Sequence, residues 1–239
     1  MKAFALTDVG KNRVTNQDFV YCSNIPVGNL PNLFIVADGM GGHRAGEIAS
    51  VTAVNAVVGS ILHSEKKDVI SIIQEGITTA NITLMEKSKN NQEWEGMGTT
   101  LVLATVVDDT MYVANVGDSR LYLIDDDIRQ ITRDHSYVEA MISIGEIDKE
   151  SARTHEKKNI ITRAIGVDAS TNADYFEVQY KPGDKILLCS DGLTNMIEDK
   201  DIFSIVNSCN DLEDTVHKLV CVANENGGKD NIAVVLVEL

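Results

Sequence analysis

Two stretches of this chain end in the same way. Leu33-Phe34-Ile35-Val36-Ala37 runs into Asp38-Gly39, and Ile186-Leu187-Leu188-Cys189 runs through Ser190 into Asp191-Gly192. Each reads as an apolar strand stopped by a carboxylate. Side chains alternate faces along a strand, which puts Asp38 in line with Phe34 and Val36, and Asp191 in line with Leu187 and Cys189. Asp118 follows Tyr112, Ala114 and Val116 in the same phase, Asp230 leads Ile232, Val234 and Leu236, and Asp18 leads Val20 and Cys22. Five carboxylates are thus expected to extend inward-facing apolar rows. A charged carboxylate in such a place is strongly disfavoured unless something compensates it. Close in sequence there are only Arg120 near Asp118 and Lys229 near Asp230. Hard divalent cations, which take oxygen ligands, are the simplest compensation and would hold these groups ionised. Gly39 and Gly192 would allow a sharp exit and let a backbone carbonyl approach an ion. One Asp-Gly after a strand is ordinarily just a turn; two, with three in-phase partners, point to a shared site. The cluster alone does not select a reaction.

Period-two runs predict strands at 3–7, 19–22, 33–37, 100–107, 111–116, 120–124, 175–180, 185–189 and 232–237, with a hairpin at Asp108-Asp109-Thr110. Helical spacing joins Ala45, Ile48, Ala49, Ala53, Ala56, Val57 and Ile61, then Val69, Ile72, Ile73, Ile77, Ala80 and Leu84. A last helix carries Leu212, Val216, Leu219, Val220 and Ala223. Short connections between strands predict mostly antiparallel sheets, and helices over two packed sheets are the natural arrangement. No linker, repeat or low-complexity stretch divides the 239 residues, so one domain over 1–239 is expected. The polar, weakly periodic segment 136–163 is expected to be a flap.

The net charge of −15 argues against nucleic acid as a partner, since a phosphate backbone calls for a basic footprint. Asp8 interrupts the N-terminal run before a signal-peptide core could form, and no run is read as approaching the roughly 18 apolar residues of a membrane span. Cys22, Cys189, Cys209 and Cys221 lack C-x-x-C spacing and read as buried free thiols in a reducing compartment, which predicts a cytoplasmic protein. Gly39-Met40-Gly41-Gly42 is not a dinucleotide fingerprint, because Arg44 stands where the third glycine belongs, and no P-loop motif occurs.

In order along the chain come R-V-T-N-Q-D at 13–18, V-A-D-G-M-G-G-H-R-A-G-E at 36–47, G-T-T at 98–100 and V-A-N-V-G-D-S-R at 113–120. D-H-S at 134–136, R-A-I-G at 163–166, S-D-G-L at 190–193 and G-G-K-D-N at 227–231 follow. Each alone is weak; eight in order, over nearly the whole chain, are specific. The chain resembles bacterial members of the metal-dependent protein serine/threonine phosphatases of the protein phosphatase 2C type. The resemblance implies an α+β fold, a four-layer helix–sheet–sheet–helix sandwich of two mostly antiparallel sheets with metals at one end between them. It also implies two to three Mn²⁺ or Mg²⁺ ions. The carboxylate matching Asp38 would bridge two of them, Asp191 and Asp230 would complete one shell, the Gly39 carbonyl would serve the other, and Asp18 would hold metal-bound water. Asp118 and Asp191 correspond to a third site.

Two ions roughly 3.5–4 Å apart would lower the pKa of a bridging water toward neutrality for in-line attack on phosphorus. Arg13 is the candidate clamp on the phosphoryl oxygens, because guanidinium matches phosphate geometry. His43 is the candidate general acid for the leaving alkoxide, with capping of the following helix as the alternative. Met40 stands where many relatives place a histidine. His135 is read as structural. The expected partners are phosphoserine and phosphothreonine proteins and a cognate kinase, with a monomeric enzyme and no membrane. Two other readings stay open: a catalytically silent phosphoprotein-binding module, against which the presence of Asp38, Asp191 and Asp230 speaks, and a phosphatase of small metabolites.

Overall fold

The structure, a computed structural model, describes residues 1–42 and 44–239. Its strands are β1 (Lys2–Asp8), β2 (Asp18–Ser23), β3 (Leu33–Met40), β4 (Gly98–Thr99), β5 (Leu101–Val107) and β6 (Thr110–Val116). They continue with β7 (Arg120–Ile124), β8 (Ile128–Gln130), β9 (Asp174–Gln179), β10 (Lys185–Cys189) and β11 (Ile232–Glu238). The helices are α1 (Ala45–His63), α2 (Val69–Lys89), α3 (Tyr137–Ser143), α4 (Lys149–Thr154), α5 (Asp191–Thr194), α6 (Asp199–Ser208) and α7 (Leu212–Glu225).

Among the described residues the strands form two sheets, ordered β1-β11-β10-β7-β8 and β2-β3-β5-β6-β9, with β4 against the end of β3. The named pairings are antiparallel, as short connections dictate. The tightest is the two-residue loop Asp108-Asp109 between β5 and β6, with Asp108 at φ 53°.

Three apolar clusters define four layers. Phe34, Val36, Val102, Leu121, Leu188 and Val235 fill the space between the sheets. On the outer face of one sheet, Ile35, Leu103 and Ala114 pack under Ala49, Ala53 and Val57 of α1 and Ile73 of α2. On the outer face of the other, Leu187, Cys189 and Val234 pack under Ile202 of α6 and Val216 and Leu219 of α7. Central strands therefore have no polar face, which is why 33–37 and 186–189 read as unbroken apolar runs. This is the four-layer sandwich the sequence predicts.

Several expectations need correction. α1 is long and apolar enough to cross a membrane, with a mean hydropathy of 1.5, contrary to the expectation that no run approaches that length. Its apolar residues are instead taken up by the sheet below and by α2 beside it. Cys189 alone of the cysteines is buried; Cys22 and Cys221 are exposed. α6 was not foreseen, although Ile202, Ile205 and Val206 mark a buried stripe at helical spacing. The segment 136–163 holds two short helices, α3 and α4, each started by a side-chain cap. The Ser136 hydroxyl accepts from the Glu139 N–H at 3.2 Å, and the Asp148 carboxylate accepts from the Ser151 N–H at 2.8 Å. The helices bury only Ala152, so little apolar packing holds them down.

Candidate metal centre

The carboxylates singled out in the sequence arrive from five places in the fold. Asp18 opens β2 and lies opposite Asp38, near the end of β3, in the sheet register. Asp118 sits in the crossover from β6 to β7, which carries the chain from one sheet to the other. Asp191 is the first residue of α5, and Asp230 immediately precedes Asn231 and β11.

The structure brings all five together. Burial is the largest influence on Asp38 and holds its carboxyl well above the usual range; next come repulsions from Asp18, Asp191, Asp118 and Asp230. Asp38 is thus the group that feels the other four. Burial likewise lifts Asp18 to about 8, against a hydrogen bond from Ser190, with Asp191 and Asp230 adding repulsion. Asp191 is raised to about 6, first by burial and then by Asp230. Asp118 is pushed well up by burial, then by Asp191 and Asp134.

Strand phase accounts for two of these placements. Phe34, Val36 and Val20 belong to the inter-sheet layer, so Asp38 and Asp18 do extend inward-facing rows. Leu187 and Cys189, Val234 and Leu236, and Ala114 and Val116 face the helices instead. Asp191, Asp230 and Asp118 enter the site because the chain turns after the strand ends: at the Ser190 cap of α5, before β11, and at Gly117 with φ 105°. The glycines also act differently from the expectation. Neither Gly39 nor Gly192 has a positive φ. A Cβ on Gly39 would run into the Gly46 carbonyl, and one on Gly192 into the Asn231 carbonyl. Both are required by close backbone approach, and the sharp turn after β3 falls to Gly41 (φ 133°) and Gly42 (φ 72°).

Residues not singled out as ligands hold the cluster in place, His135 among them in the structural role read for it. The buried Ser190 hydroxyl donates to Asp18 Oδ2 at 2.6 Å and accepts from the Ala233 N–H at 2.9 Å, tying the two sheets together. The Asp38 N–H donates to Thr100 Oγ1, which in turn bonds Ser119 Oγ at 2.7 Å beside Asp118. Asn231 accepts from the Gln17 N–H and donates to the Val9 and Thr15 carbonyls, fixing the loop that carries Arg13. His135 is buried, and its Nδ1 accepts from the Gly117 N–H at 3.1 Å while its backbone N–H donates to the Gly117 carbonyl. It braces the turn before Asp118. All five lie inside the quoted motif runs, which, apart from the reading of His135 as structural, was their one visible mark in the sequence.

Arg13 Nη2 donates to Asp230 Oδ2 at 2.8 Å, and the Asn231 N–H donates to Asp230 Oδ1. Arg120 is not the partner expected for Asp118; it grips Asp134 through Nε and Nη2. His43 lies outside the described residues.

These residues suit hard divalent ions. Asp18 Oδ1 and Asp191 Oδ1 are buried without a hydrogen-bond partner among the described residues. Repelling carboxylates kept close together, with unsatisfied oxygens, are what a cation of charge two or more relieves. Among the described residues no three His, Cys, Asp or Glu side chains stand in position to hold an ion together, and Arg13 lies on Asp230.

Residues 11–236 match the family model described as Protein phosphatase 2C. The chain belongs to the protein phosphatase 2C family. It is 40% identical to the serine/threonine phosphatase stp of Listeria monocytogenes serotype 4b, over all of this chain and 96% of that one. It is also 40% identical to the protein phosphatase PhpP of Streptococcus pneumoniae serotype 2, over 100% and 98%. The solved S. agalactiae serine/threonine phosphatase superposes with a TM-score of 0.92 at 35% identity, covering 100% and 99% of the two chains. The catalytic domain of the phosphatase PstP, solved in complex with 2 manganese ions, superposes with a TM-score of 0.87 at 29% identity, covering 99% and 97%. These likenesses span the whole sandwich, including both sheets that supply the carboxylates.

Proposed function

We propose that this protein serine/threonine phosphatase hydrolyses phosphoserine and phosphothreonine esters by in-line attack of water on phosphorus, assisted by divalent ions. The observation that carries the reading is the convergence of five carboxylates, two with unpartnered buried oxygens, around Asp38. Asp38, Asp191, Asp230 and the Gly39 carbonyl would hold two Mn²⁺ or Mg²⁺ ions, with Asp118 and Asp191 for a third. When bound, such ions supply a water acidic enough to attack and positive charge for the phosphoryl oxygens. Asp18, gripped by Ser190, would orient that water. The P–O bond to the serine or threonine oxygen breaks, and the alkoxide takes a proton, for which His43 is the candidate donor by its place in the sequence.

Arg13 would leave Asp230 and take the phosphoryl oxygens through paired N–H groups. Its side chain is half exposed, so the exchange needs no repacking. Arg13→Ala is expected to lower kcat/KM roughly 10- to 100-fold, the worth of one or two charge-assisted hydrogen bonds, mainly through KM. Arg13→Lys should recover only part, because an ammonium cannot bond two oxygens in a plane. Steady-state kinetics on a phosphothreonine peptide reads this, and an unchanged KM in Arg13→Ala removes Arg13 from substrate binding.

The deciding assay is hydrolysis of a phosphothreonine peptide with Mn²⁺ and with excess chelator, beside a sugar phosphate. Turnover that needs the ion and favours the peptide supports the reading. No turnover by folded, ion-loaded protein would favour a silent phosphoprotein-binding module, and preference for the sugar phosphate a metabolite phosphatase. Adding phenyl and p-nitrophenyl phosphate tests His43→Ala, which should slow the poorer leaving group far more. One catalytic domain over 1–239, a flap at 136–163, a monomer in the cytoplasm and a cognate serine/threonine kinase complete the proposal. Matches over nearly the full length of the Listeria and streptococcal relatives support the domain reading, and light scattering tests the monomer.

A further inference from the structure

Asp118 is delivered to the centre by the turn at Gly117, where a Cβ would strike the Thr100 side chain. Three hydrogen bonds hold this turn. Asn115 Nδ2 and the His135 backbone N–H donate to the Gly117 carbonyl at 3.2 and 2.9 Å, and His135 Nδ1 accepts from the Gly117 N–H. On the far edge of the imidazole, Nε2 lies 3.2 Å from Asp174 Oδ2 and 3.0 Å from Arg163 Nη1. Arg163 Nη1 also donates to Asp174 Oδ1 at 2.7 Å. Asp174 opens β9 directly opposite Asn115 in the sheet register.

Burial would raise the Asp174 carboxyl, but hydrogen bonds from His135 and Arg163 hold it below its usual range, so it is ionised. Burial pulls the His135 ring below its ordinary pKa, with Asp174 opposing and Arg163 adding to the fall, so the ring is neutral at neutral pH. A neutral imidazole has one N–H and one bare nitrogen. Two donors face this ring, the Gly117 N–H at Nδ1 and the Arg163 guanidinium at Nε2, and Asp174 supplies an acceptor at Nε2. Hydrogen on Nε2 therefore satisfies both edges. Hydrogen on Nδ1 would set two N–H groups against each other at Gly117.

We propose that Asp174 is a positioning residue: by holding the His135 hydrogen on Nε2 it keeps Nδ1 bare for the Gly117 N–H, and so keeps Asp118 aimed at its ion. Arg163 is the opposing element, since a guanidinium facing Nε2 without Asp174 favours hydrogen on Nδ1. The proposal rests on the reading above that Asp118 helps to hold a divalent ion. Both ends of the segment 136–163 meet beside this ring, where Ser136 bridges to Ile161 and the Thr162 N–H donates to the His135 carbonyl at 2.7 Å. The ring thus stands between that segment and the carboxylate centre.

The test compares the whole wild-type chain with Asp174→Ala and with Asp174→Ala/Arg163→Ala. The two side chains are 37% and 45% exposed, so both variants are expected to fold. Nitrogen NMR of histidine-labelled, ion-free protein reads the tautomer. His135 should carry its hydrogen on Nε2 in the wild type and on Nδ1 in Asp174→Ala. Calorimetric titration should show one Mn²⁺ bound about tenfold more weakly in Asp174→Ala, the low end for groups that orient an ion's ligands. The Mn²⁺ concentration for half-maximal turnover of a phosphothreonine peptide should rise by the same factor, with KM for the peptide unchanged. Removing Arg163 as well should return the hydrogen to Nε2 and restore much of the affinity, the reverse of two added packing losses. A wild-type ring with its hydrogen on Nδ1 overturns the proposal. So does Mn²⁺ affinity unmoved in Asp174→Ala, or a double variant that binds more weakly than the single one. Absence of turnover in the wild type, with the NMR and calorimetric differences intact, would count against the phosphatase reading and support the positioning role.

Discussion

Replacing Asp38 with Asn is expected to cut kcat/KM on a phosphothreonine peptide by about a thousandfold or more, the several kcal/mol that ion-assisted attack supplies. The same change should raise, or at least not lower, the melting temperature of the ion-free protein. Asp38 is the one carboxylate repelled by all four others, and burial already disfavours its charge. An amide of the same shape removes that repulsion while the backbone bonds to Thr99 and Thr100 stay in place. Activity and ion-free stability should therefore move in opposite directions. Kinetics and thermal unfolding on one preparation check this, and a variant that loses both together would mean that Asp38 serves the fold and not the reaction.

Divalent ions should raise the melting temperature most at alkaline pH. Asp18 titrates near 8 and Asp191 near 6 in the folded protein, both above the usual 3.8. Between about pH 4 and 8 the folded state binds more protons than the unfolded state, so the ion-free protein loses stability as pH rises through this window. The contribution is fully present below the unfolded value and gone above the folded one. His135, whose pKa burial lowers, acts the other way at the acid end, so the cleanest comparison is with Asp18→Asn, whose pH slope should be flatter. Saturating Mn²⁺ at pH 8 should add ~5–10 °C, as expected for a ligand at about a hundred times its Kd in a chain of this length. Below pH 7, binding should release protons, visible as a buffer-dependent heat in calorimetry. A wild-type slope equal to that of Asp18→Asn would refute the raised carboxylate.

How much of this was legible in the sequence depends on the residue. Asp18 and Asp38 could be placed by periodicity because they sit within strands whose inward rows they continue. Asp118, Asp191 and Asp230 lie just past a strand end or before a strand start, where a turn resets the direction of every later side chain, so their phase pointed to the wrong face. They were found because an apolar run stopped at a carboxylate, and because of the motif runs. Central strands buried on both faces hide which face is which, since Leu187 and Leu188 are equally apolar although one meets helices and the other the second sheet. Arg13 could be located only by family resemblance; its bond to Asp230 spans the whole chain, and no local pattern encodes it. α6 was readable in Ile202, Ile205 and Val206 but is short enough to be lost beside longer helices.

The shallow seating of α3 and α4 has a consequence for how this enzyme can change over generations. Apart from Ala152, their residues stay out of the buried interior, whereas each of the three apolar clusters draws on strands whose ends carry the carboxylates. Insertions, deletions and charge swaps between Ser136 and Arg163 can therefore accumulate without being vetoed by packing. Under the proposed flap role, rewriting this stretch would redirect one unaltered hydrolytic centre to new phosphoproteins.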